Sequence, residues 1–415
     1  MKMTQQTLDC IRKQAIRLKG IEGGLYAEKF RNIDPEAIRT QKDFEALPFT
    51  DKSDLRGCYP LGVRAVPMKQ IVRIHSSSGT TGVPVIIPYT KKDVDDWAIM
   101  FKRCYEIAGI TDEDMIQITP GYGLWTAGIG FQAGAELLGA TAIPMGPGNT
   151  EKQLMFMRDM GTTVLAATSS YALLLAEEIK KRGCRDQLKL KKGVLGSERW
   201  GEKMRSRIKT ELGVKIYDIY GLTEIYGPGI GISCDYENGM HCFDDFLYME
   251  IIDPVTGKTL PDGEMGELVL TTLQKEGAPL IRFRTHDLTR IIPGECPCGC
   301  RYPRIDSIMG RSDDLFKVKG VNMFPAQVEE IMRGIKGISS EYRIEIGHIE
   351  GRDHMLVSFE CNADVREEDF PKIEREFQVL FKARVGMTPD AKAFVLGTLP
   401  RSEKKTKRVV DTRND

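Results

Sequence analysis

The chain has 415 residues, which is too long for one compact core and predicts two or three domains. Its 59 basic residues balance its 59 acidic residues, and this neutrality argues against binding to nucleic acids or other polyanions. No apolar stretch reaches the length of a membrane span, and Met1 to Lys19 is amphipathic rather than signal-like, so we expect a cytoplasmic protein.

Strand-like and helix-like runs alternate through most of the chain, which predicts an α/β fold. A β pattern covers Gln70 to His75, and the capping pair Thr90 and Asp93 predicts a helix through Ile107. The next predicted elements are a strand at Ile116 to Thr119, a helix at Ala127 to Leu138, a strand at Thr141 to Pro144, a helix from Glu151, a strand at Thr163 to Thr168 and a helix at Tyr171 to Arg182.

After Tyr248 the pattern becomes β-rich, and near Gly310 to Asp314 it changes again to that of a small α+β domain. The strands predicted before this change are Leu247 to Ile252, Glu267 to Thr272 and Leu288 to Ile292. Those predicted after it are Tyr342 to Ile346, Met355 to Glu360 and Ala391 to Leu396, with helical spacing from Phe370 to Arg384. We expect a large domain at residues 1–310, β-rich from about 230, and a small domain at 311–415.

The run from Ser76 to Pro84 consists almost entirely of hydroxyl and glycine residues and follows the first predicted strand. Glycines let backbone N–H groups converge on an anion, and the hydroxyls add donors and can contact magnesium. No Gly-Lys-Ser/Thr follows, so this is not a Walker loop. Such runs are more often plain turns, so a phosphate role needs support from other motifs.

A second motif, Tyr217 to Glu224, ends a predicted strand with an aromatic ring, a glycine turn, a hydroxyl and a carboxylate. The ring can stack on a purine and the carboxylate can hold magnesium, although a buried tyrosine followed by a solvated glutamate is the simpler interpretation. Phe283 to Asp287 is a third motif, and Gly310 to Asp314 with Lys317 to Gly320 is a fourth. Each alone could be a turn.

In this order, the four motifs resemble those of the adenylate-forming superfamily of acyl-CoA ligases, and more closely the phenylacetate-CoA ligases. The resemblance covers nearly the whole chain and includes Leu47 to Lys52, Thr223 to Gly229 and Leu399 to Glu403. It implies a large N-terminal domain with mixed sheets and a small mobile C-terminal domain that rotates about Asp313. It also implies an acid–thiol ligase that makes acyl-CoA, AMP and diphosphate from an aryl acid, ATP and CoA through an acyl-adenylate.

The resemblance also implies roles for individual residues. Glu224 matches the magnesium carboxylate, and Thr80 belongs to the loop that grips the triphosphate during catalysis. The residues that match ATP-binding positions are Ser77, Gly79, Thr80, Thr81 and Gly82 at the phosphates, Ser197, Glu198, Tyr220 and Gly221 at adenine, Thr223 beside a phosphate, and Asp287 and Arg311 at the ribose. Ser197 and Arg199 stand where the family has Ala and Pro, and His286 stands where it usually has Gly. His286 could crowd the nucleotide or face solvent, and we expect the second.

The run from Arg401 to Arg408 resembles the family segment that carries the adenylation lysine, which assigns that role to Lys405. Lys404 replaces the family's glycine, so which lysine reaches the site stays open, and a solvated basic tail is the alternative. The resemblance implies that rotation of the small domain brings Lys319 and Gly320 towards the pantetheine of CoA.

The glycine-rich aromatic segment Gly121 to Phe131 resembles the family's acyl pocket, with Tyr122, Gly123, Trp125 and Phe131 as its walls. A buried helix start with close packing explains the glycines equally well. An arylacetate fits best, whereas benzoate-like, indolyl and short aliphatic acids, a carrier-protein pantetheine as acceptor, and a nucleotide-binding protein without turnover remain alternatives. The substrates are small molecules, and close relatives suggest a homodimer.

Cys234, His241, Cys296 and Cys298 form a set with the residue types of a closed structural zinc site. Free buried thiols are the alternative, because ten cysteines without secretory features are expected to be reduced. Cys300 could exchange roles with Cys298.

Overall fold

A computed structural model of the chain describes residues 3–77, 83–124, 126–198, 200–314, 316–349, 352–402 and 406–413. The α-helices in these ranges are α1 Gln5–Lys19, α2 Leu25–Lys29, α3 Gln41–Glu45, α4 Lys52–Gly57, α5 Lys91–Ile107, α6 Ala127–Leu138, α7 Thr150–Asp159, α8 Ser169–Arg182, α9 Glu202–Leu212, α10 Pro325–Arg333 and α11 Phe370–Val385. The β-strands are β1 Ile71–Ser76, β2 Ile86–Thr90, β3 Met115–Ile118, β4 Thr141–Pro144, β5 Val164–Thr168, β6 Lys192–Gly196, β7 Lys215–Leu222, β8 Gly227–Ser233, β9 Met240–Cys242, β10 Leu247–Ile252, β11 Gly266–Thr272, β12 Phe283–Thr289, β13 Ile291–Ile292, β14 Arg304–Ile305, β15 Gly310–Arg311, β16 Phe316–Val318, β17 Val321–Met323, β18 Ile338–Ile349, β19 Arg352–Cys361, β20 Asp390–Phe394 and β21 Val409–Asp411.

The largest sheet has the strand order β13-β14-β9-β8-β7-β6-β5-β3-β4. Strands β3 to β7 run parallel, and β8, β9, β14 and β13 extend the sheet in antiparallel fashion. Parallel strands connected by helices are buried on both faces, which explains apolar runs such as β5. The predicted α/β fold is confirmed, and the carboxyl ends of the parallel strands meet at one edge of this sheet.

Local signals set several helix boundaries. α5 begins after Thr90, whose hydroxyl accepts the Asp93 N–H while the Asp93 carboxylate accepts the Thr90 N–H. α6 covers the predicted range and ends at Gly139, whose φ of 91° is left-handed and favours glycine. Within the described ranges, no helix combines the length and the apolar character needed to cross a membrane.

A second sheet of order β10-β11-β12-β15 forms the β-rich part, and here the structure corrects one predicted strand. Instead of a strand from Leu288 to Ile292, β12 ends at Thr289 in this sheet, and β13 pairs with β14 in the large sheet. Arg284 pairs with Val269 but Leu288 pairs with Glu267, so residues 285–287 bulge out of β12. A bulge redirects side chains, and this one contains the predicted ribose ligand.

The small domain has its own apolar core, built from the sheet β20-β19-β18-β21 with α10 and α11. Its last strand, β21, runs parallel to β18 and was not predicted. Just before it, Arg408 Nη1 and Nη2 donate to the Glu341 carboxylate at 3.2 and 3.1 Å, so this end of the basic run is not a solvated tail. The chain passes from the second sheet into the small domain between Arg311 and Phe316.

Candidate functional site

A cavity of about 1500 Å³ opens where the large and small domains meet. Its large-domain walls include the carboxyl ends of β3, β5, β6 and β7, and the small domain contributes α10 and residues 406–409. Ligands of open α/β sheets bind at the carboxyl ends of strands. A pocket for one small ligand usually measures roughly 300–1,000 Å³, so this cleft has room for a nucleotide and a second small molecule.

Glu224 lies just beyond β7 with only 5% of its side chain exposed, and its Oε1 is 2.9 Å from Lys52 Nζ. Beside it, Thr223 Oγ1 and Thr126 Oγ1 are 3.3 Å apart, and all four residues line the cavity. Lys52 is the last residue of the family-like run Leu47 to Lys52, but the sequence by itself indicates no role for its side chain. A carboxylate, an ammonium and two hydroxyls at one place form a donor set suited to phosphate and a hard cation.

Lys275 is fully buried beside the backbone of Glu224. Its Nζ donates to the carbonyl oxygens of Ile225 and, at 3.4 Å, Glu224, and it lies 4.6 and 4.9 Å from the ring centroids of Tyr89 and Tyr226. Burial lowers the pKa of Lys275 to about 7, although nearby carboxylates oppose this shift. No sequence signal marks Lys275, because its partners are all distant along the chain.

The predicted adenine and ribose residues Tyr220, Asp287 and Arg311 are in direct contact. Tyr220 Oη donates to Asp287 Oδ2 at 2.6 Å, and Arg311 Nη1 lies 3.3 Å from Asp287 Oδ1. Burial raises the pKa of Asp287, and the Arg311 guanidinium acts against that rise. Arg311 also binds both carboxylate oxygens of Asp313, at 2.8 and 2.7 Å, and so connects this cluster to the predicted hinge.

His286 does not simply face solvent, as the sequence led us to expect. Its Nδ1 lies 3.1 Å from Ser312 Oγ and 3.6 Å from Glu267 Oε1, and a quarter of its side chain is exposed. Its φ of 64° belongs to the bulge in β12, a backbone conformation that glycine adopts more easily. Burial would raise the pKa of Glu267, but hydrogen bonds from Arg284, His286 and Ser312 lower it to about 2. The bulge therefore carries a second polar cluster next to Asp287.

Ser197 and Glu198 follow β6 and line the cavity. Glu198 Oε1 accepts the Ser170 N–H at 2.7 Å, and Oε2 accepts the Thr406 N–H at 3.0 Å. The hydroxyls of Ser170 and Thr406 are 2.7 Å apart. Glu198 therefore holds the C-terminal segment against the large domain, a contact that the sequence did not predict.

Ser77 closes the base of the predicted phosphate loop. Its N–H donates to the Val85 carbonyl at 3.0 Å, and its Oγ accepts the Val85 N–H at 3.1 Å. Several predicted residues lie outside the described ranges, namely Gly79, Thr80, Thr81 and Gly82 of this loop, Trp125 of the acyl segment, Arg199, Lys404 and Lys405.

The predicted acyl segment divides into two parts, the first of which borders the cavity. Gly121, Thr126 and Ala127 line it, whereas Tyr122 and Gly123 do not. The Tyr122 hydroxyl is buried, and it has no hydrogen-bond partner in the part of the chain that the structure describes.

The second part of this segment packs α6 against α5. A Cβ on Gly130 would lie 2.4 Å from the Trp97 ring, and one on Gly134 would lie 2.3 Å from Phe101 Cβ. Phe131 is 1% exposed, and its ring centroid is 4.8 Å from that of Phe101. Close helix packing therefore explains these glycines, and Phe131 lies in the core rather than on the cavity wall.

Lys319 and Gly320 form the two-residue turn between β16 and β17. Their φ angles of 51° and 83° are both left-handed, as a tight hairpin turn requires. Neither residue lines the cavity in this arrangement of the domains.

The predicted zinc ligands come together where β8, β9 and the loop before β14 meet. One ligand atom from each of Cys234, His241, Cys296 and Cys298 lies within 4.8 Å of the others. Cys234 Sγ is 3.7 Å from Cys296 Sγ, which is the edge of a tetrahedron with zinc–sulfur bonds of about 2.3 Å. His241 Nδ1 lies 3.0 Å from the Tyr302 carbonyl, which can only accept, so Nδ1 donates there and Nε2, 3.3 Å from Cys298 Sγ, is the nitrogen available to a metal.

Cys300 lies beside this cluster rather than in it. Its backbone N–H donates to Cys298 Sγ at 3.4 Å, a contact typical of the outer shell of a thiolate site. The geometry thus favours Cys298 over Cys300 as the fourth ligand.

The chain matches two family models. The model described as AMP-binding enzyme covers residues 21–274, and the one described as AMP-binding enzyme C-terminal domain covers residues 320–413. Phenylacetate-coenzyme A ligase of Pseudomonas putida is 41% identical to this chain, over 94% of this chain and 90% of its own length.

Solved structures of 2-hydroxyisobutyryl-CoA ligase resemble this fold in two states. Its postadenylation state, in complex with 2-HIB-AMP, gives a TM-score of 0.87 at 26% identity over 98% of this chain and 89% of that chain. Its thioesterification state, in complex with 2-HIB-AMP and CoA, gives a TM-score of 0.70 at 27% identity, over 99% of this chain and 89% of that chain.

The fold, the site at the strand ends and the family models make this protein an adenylate-forming enzyme, an acid–CoA ligase of the AMP-forming class. Within that class, the chain belongs to the family of the phenylacetate-coenzyme A ligases.

Proposed function

We propose that this protein joins phenylacetate, or a closely similar aryl acid, to coenzyme A with the conversion of ATP to AMP and pyrophosphate. The proposal is supported by relatives of that name at about 41% identity over 94% of the chain. The observation that carries it is the convergence of Tyr220, Glu224, Asp287 and Arg311 on one cavity that the small domain faces.

The chemistry has two steps. In the first, a carboxylate oxygen of the acid attacks the α-phosphorus of ATP, the bond to pyrophosphate breaks, and an acyl-adenylate forms. In the second, the CoA thiol loses its proton, its sulfur attacks the acyl carbon, and AMP leaves. Negative charge grows on phosphate oxygens in the first step, so cations and N–H donors held there lower the barrier.

For the nucleotide, we assign the ribose hydroxyls to Asp287 and Arg311, and the adenine to Tyr220, Gly221 and the Ser197–Glu198 segment. Each oxygen of Asp287 receives one hydrogen bond in the structure. A carboxylate has about four acceptor sites, so two remain for a pair of cis hydroxyls. Burial among these partners keeps the carboxylate fixed in one orientation.

We assign magnesium to Glu224. The residues fit this ion, because a buried carboxylate with oxygen-bearing neighbours Thr223 and Thr126 faces the cavity and its charge is met by Lys52. Magnesium held there would neutralise charge on the phosphates. Lys52, whose Nζ lies 2.9 Å from Glu224 Oε1, would supply a second cation at the same place.

Replacing Glu224 by glutamine tests this assignment. The amide keeps the shape but removes the charge, so the magnesium concentration at half-maximal rate should rise by about tenfold or more at saturating ATP. The measurement is pyrophosphate release against magnesium concentration. Glu276→Gln is the matched control, because Glu276 does not line the cavity and binds Thr90 instead. An unchanged magnesium dependence of Glu224→Gln would remove Glu224 from the shell of the ion.

We also propose that Cys234, His241, Cys296 and Cys298 hold zinc. Four protein ligands leave no open position for water, so the role of the ion is structural. It would connect β8, β9 and the loop before β14 at the edge of the large sheet.

We also propose that the two domains are arranged here as they are during the adenylation step. In support, residues 406–409 line the cavity while the Lys319–Gly320 turn does not. The chain also superposes better on the postadenylation state of the 2-hydroxyisobutyryl-CoA ligase, with a TM-score of 0.87, than on its thioesterification state, with 0.70.

A panel of acids tests the function as a whole. We expect acid-dependent pyrophosphate release and acyl-CoA formation with phenylacetate, and slower reactions with benzoate, indolyl acids and short aliphatic acids. If the enzyme prefers another acid, that acid takes the place of phenylacetate as the proposed substrate. Pyrophosphate release without transfer to free CoA, but with transfer to a carrier-protein pantetheine, would change the acceptor, and ATP binding without any turnover would overturn the proposal.

A further inference from the structure

Lys203, on α9 of the large domain, reaches across the interface to the small domain. Its Nζ lies 2.9 Å from the carbonyl oxygen of Met332, 3.1 Å from that of Ile335 and 2.6 Å from that of Ile338. All three acceptors are backbone carbonyls in the segment from the last turn of α10 to the first residue of β18. An ammonium has three N–H donors, so each of its donors has a partner in the small domain.

The position of these acceptors favours a cation. The last carbonyls of a helix carry the negative end of its dipole, and Met332 lies in the last turn of α10, where its carbonyl also accepts the Ile335 N–H at 3.1 Å. The Lys203 ammonium adds a charged donor to this carbonyl from the other domain. Lys203 is partly buried, and burial lowers its pKa to about 8.

Two other residues at the interface divide their hydrogen bonds between the two domains. Arg401 binds Glu177 of the large domain at 2.9 and 2.8 Å, but it also binds Glu360 within its own small domain. Arg207 binds Glu177 within the large domain and reaches Ser340 Oγ at 3.2 Å. The Lys203 contacts, in contrast, all cross the interface, so rotation of the small domain would break them together.

We propose that Lys203 is a positioning residue for the adenylation step, which holds the small domain so that residues 406–409 stay at the cavity. The inference rests on the proposed two-step function. Its consequence is an unequal effect of Lys203 on the two steps. Adenylation needs the contact, whereas thioester formation needs its release.

Lys203→Met tests this, because methionine keeps most of the apolar stem and removes all three donors. We expect acid-dependent exchange of pyrophosphate into ATP to fall by about tenfold or more, since the loss of even one charge-assisted hydrogen bond has an effect of about that size. Conversion of supplied phenylacetyl-adenylate and CoA to the thioester should be unchanged or faster. Lys203→Arg should restore part of the exchange, since arginine can donate to the same carbonyls.

Lys209→Met is the matched control, because Lys209 lies on the same helix and its Nζ binds Glu237 of its own domain at 2.9 Å. It should change neither step. Equal losses in both steps for a folded Lys203→Met protein, or no loss in either, would overturn the inference. If Lys203→Met does not fold, Lys203→Gln should give the same split, and equal losses there would have the same meaning. A wild-type protein that exchanges no pyrophosphate with any aryl acid would instead overturn the proposed function, and this inference with it.

Discussion

Replacing Lys405 by alanine should lower the rate of acyl-adenylate formation by at least about 100-fold, because loss of a preorganised cation at a developing phosphate charge costs ~3 kcal/mol or more. Lys405 itself lies outside the described ranges, but the chain is anchored on both sides of it. Arg401 binds Glu177 at 2.9 and 2.8 Å, and the Thr406 N–H donates to Glu198 at 3.0 Å. Acid-dependent pyrophosphate exchange measures the effect.

The second half-reaction provides the control for this variant. Conversion of supplied acyl-adenylate to thioester should survive in Lys405→Ala, since that step needs no cation at a leaving pyrophosphate. Lys407 is exposed and lies two residues further along the chain, so Lys407→Ala should keep most of both activities. Equal losses in both steps, or none, would show that the assignment is wrong and would direct the test to Lys404 or Lys407.

Replacing Cys296 by serine should remove zinc and lower thermal stability together. Protein purified without chelator should carry about one zinc per chain, because thiolate-rich tetrahedral sites bind zinc tightly. Cys296 and Cys234 are 62 residues apart along the chain, so the ion closes a long loop. A decrease of a few kcal/mol in the free energy of unfolding should lower Tm by about 5 °C or more. Elemental analysis and thermal denaturation measure the two effects.

Cys300→Ser is the matched control for the zinc prediction. Cys300 lies in the same loop but donates only its backbone N–H to Cys298 Sγ, at 3.4 Å, so this variant should keep its zinc. Catalysis per folded molecule should change little in either variant. If purified wild-type protein contains no zinc and the thiols of Cys234, Cys296 and Cys298 react freely, the zinc site is wrong. The cluster would then consist of buried thiols beside a histidine.

The pattern of the sequence predicted those elements whose boundaries depend on neighbouring residues. The capping pair Thr90 and Asp93 starts α5, and α6 and β10 have their predicted bounds. A capping hydrogen bond spans three residues and a strand alternates every two, so the information for such boundaries is present in a short stretch of chain.

The sequence also identified residues that the structure brings together, through their types and their family resemblance. Tyr220 and Asp287, 67 residues apart, are joined by a 2.6 Å hydrogen bond. The four predicted zinc ligands lie within 4.8 Å of one another. Their roles in catalysis and metal binding remain predictions, which the variants above test.

Thus the sequence by itself determined the α/β class, the family and the motifs at the strand ends, because these depend on residue type and local order. Only the tertiary structure decided the bulge that turns His286 to Glu267, and the contacts of Lys52, Lys203 and Lys275. Lys203, for example, binds carbonyl oxygens 129 to 135 residues away. Every residue has a backbone carbonyl, so the residue types of the acceptors do not identify them as partners of a lysine. Only the packing of the two domains determines which carbonyls Lys203 binds.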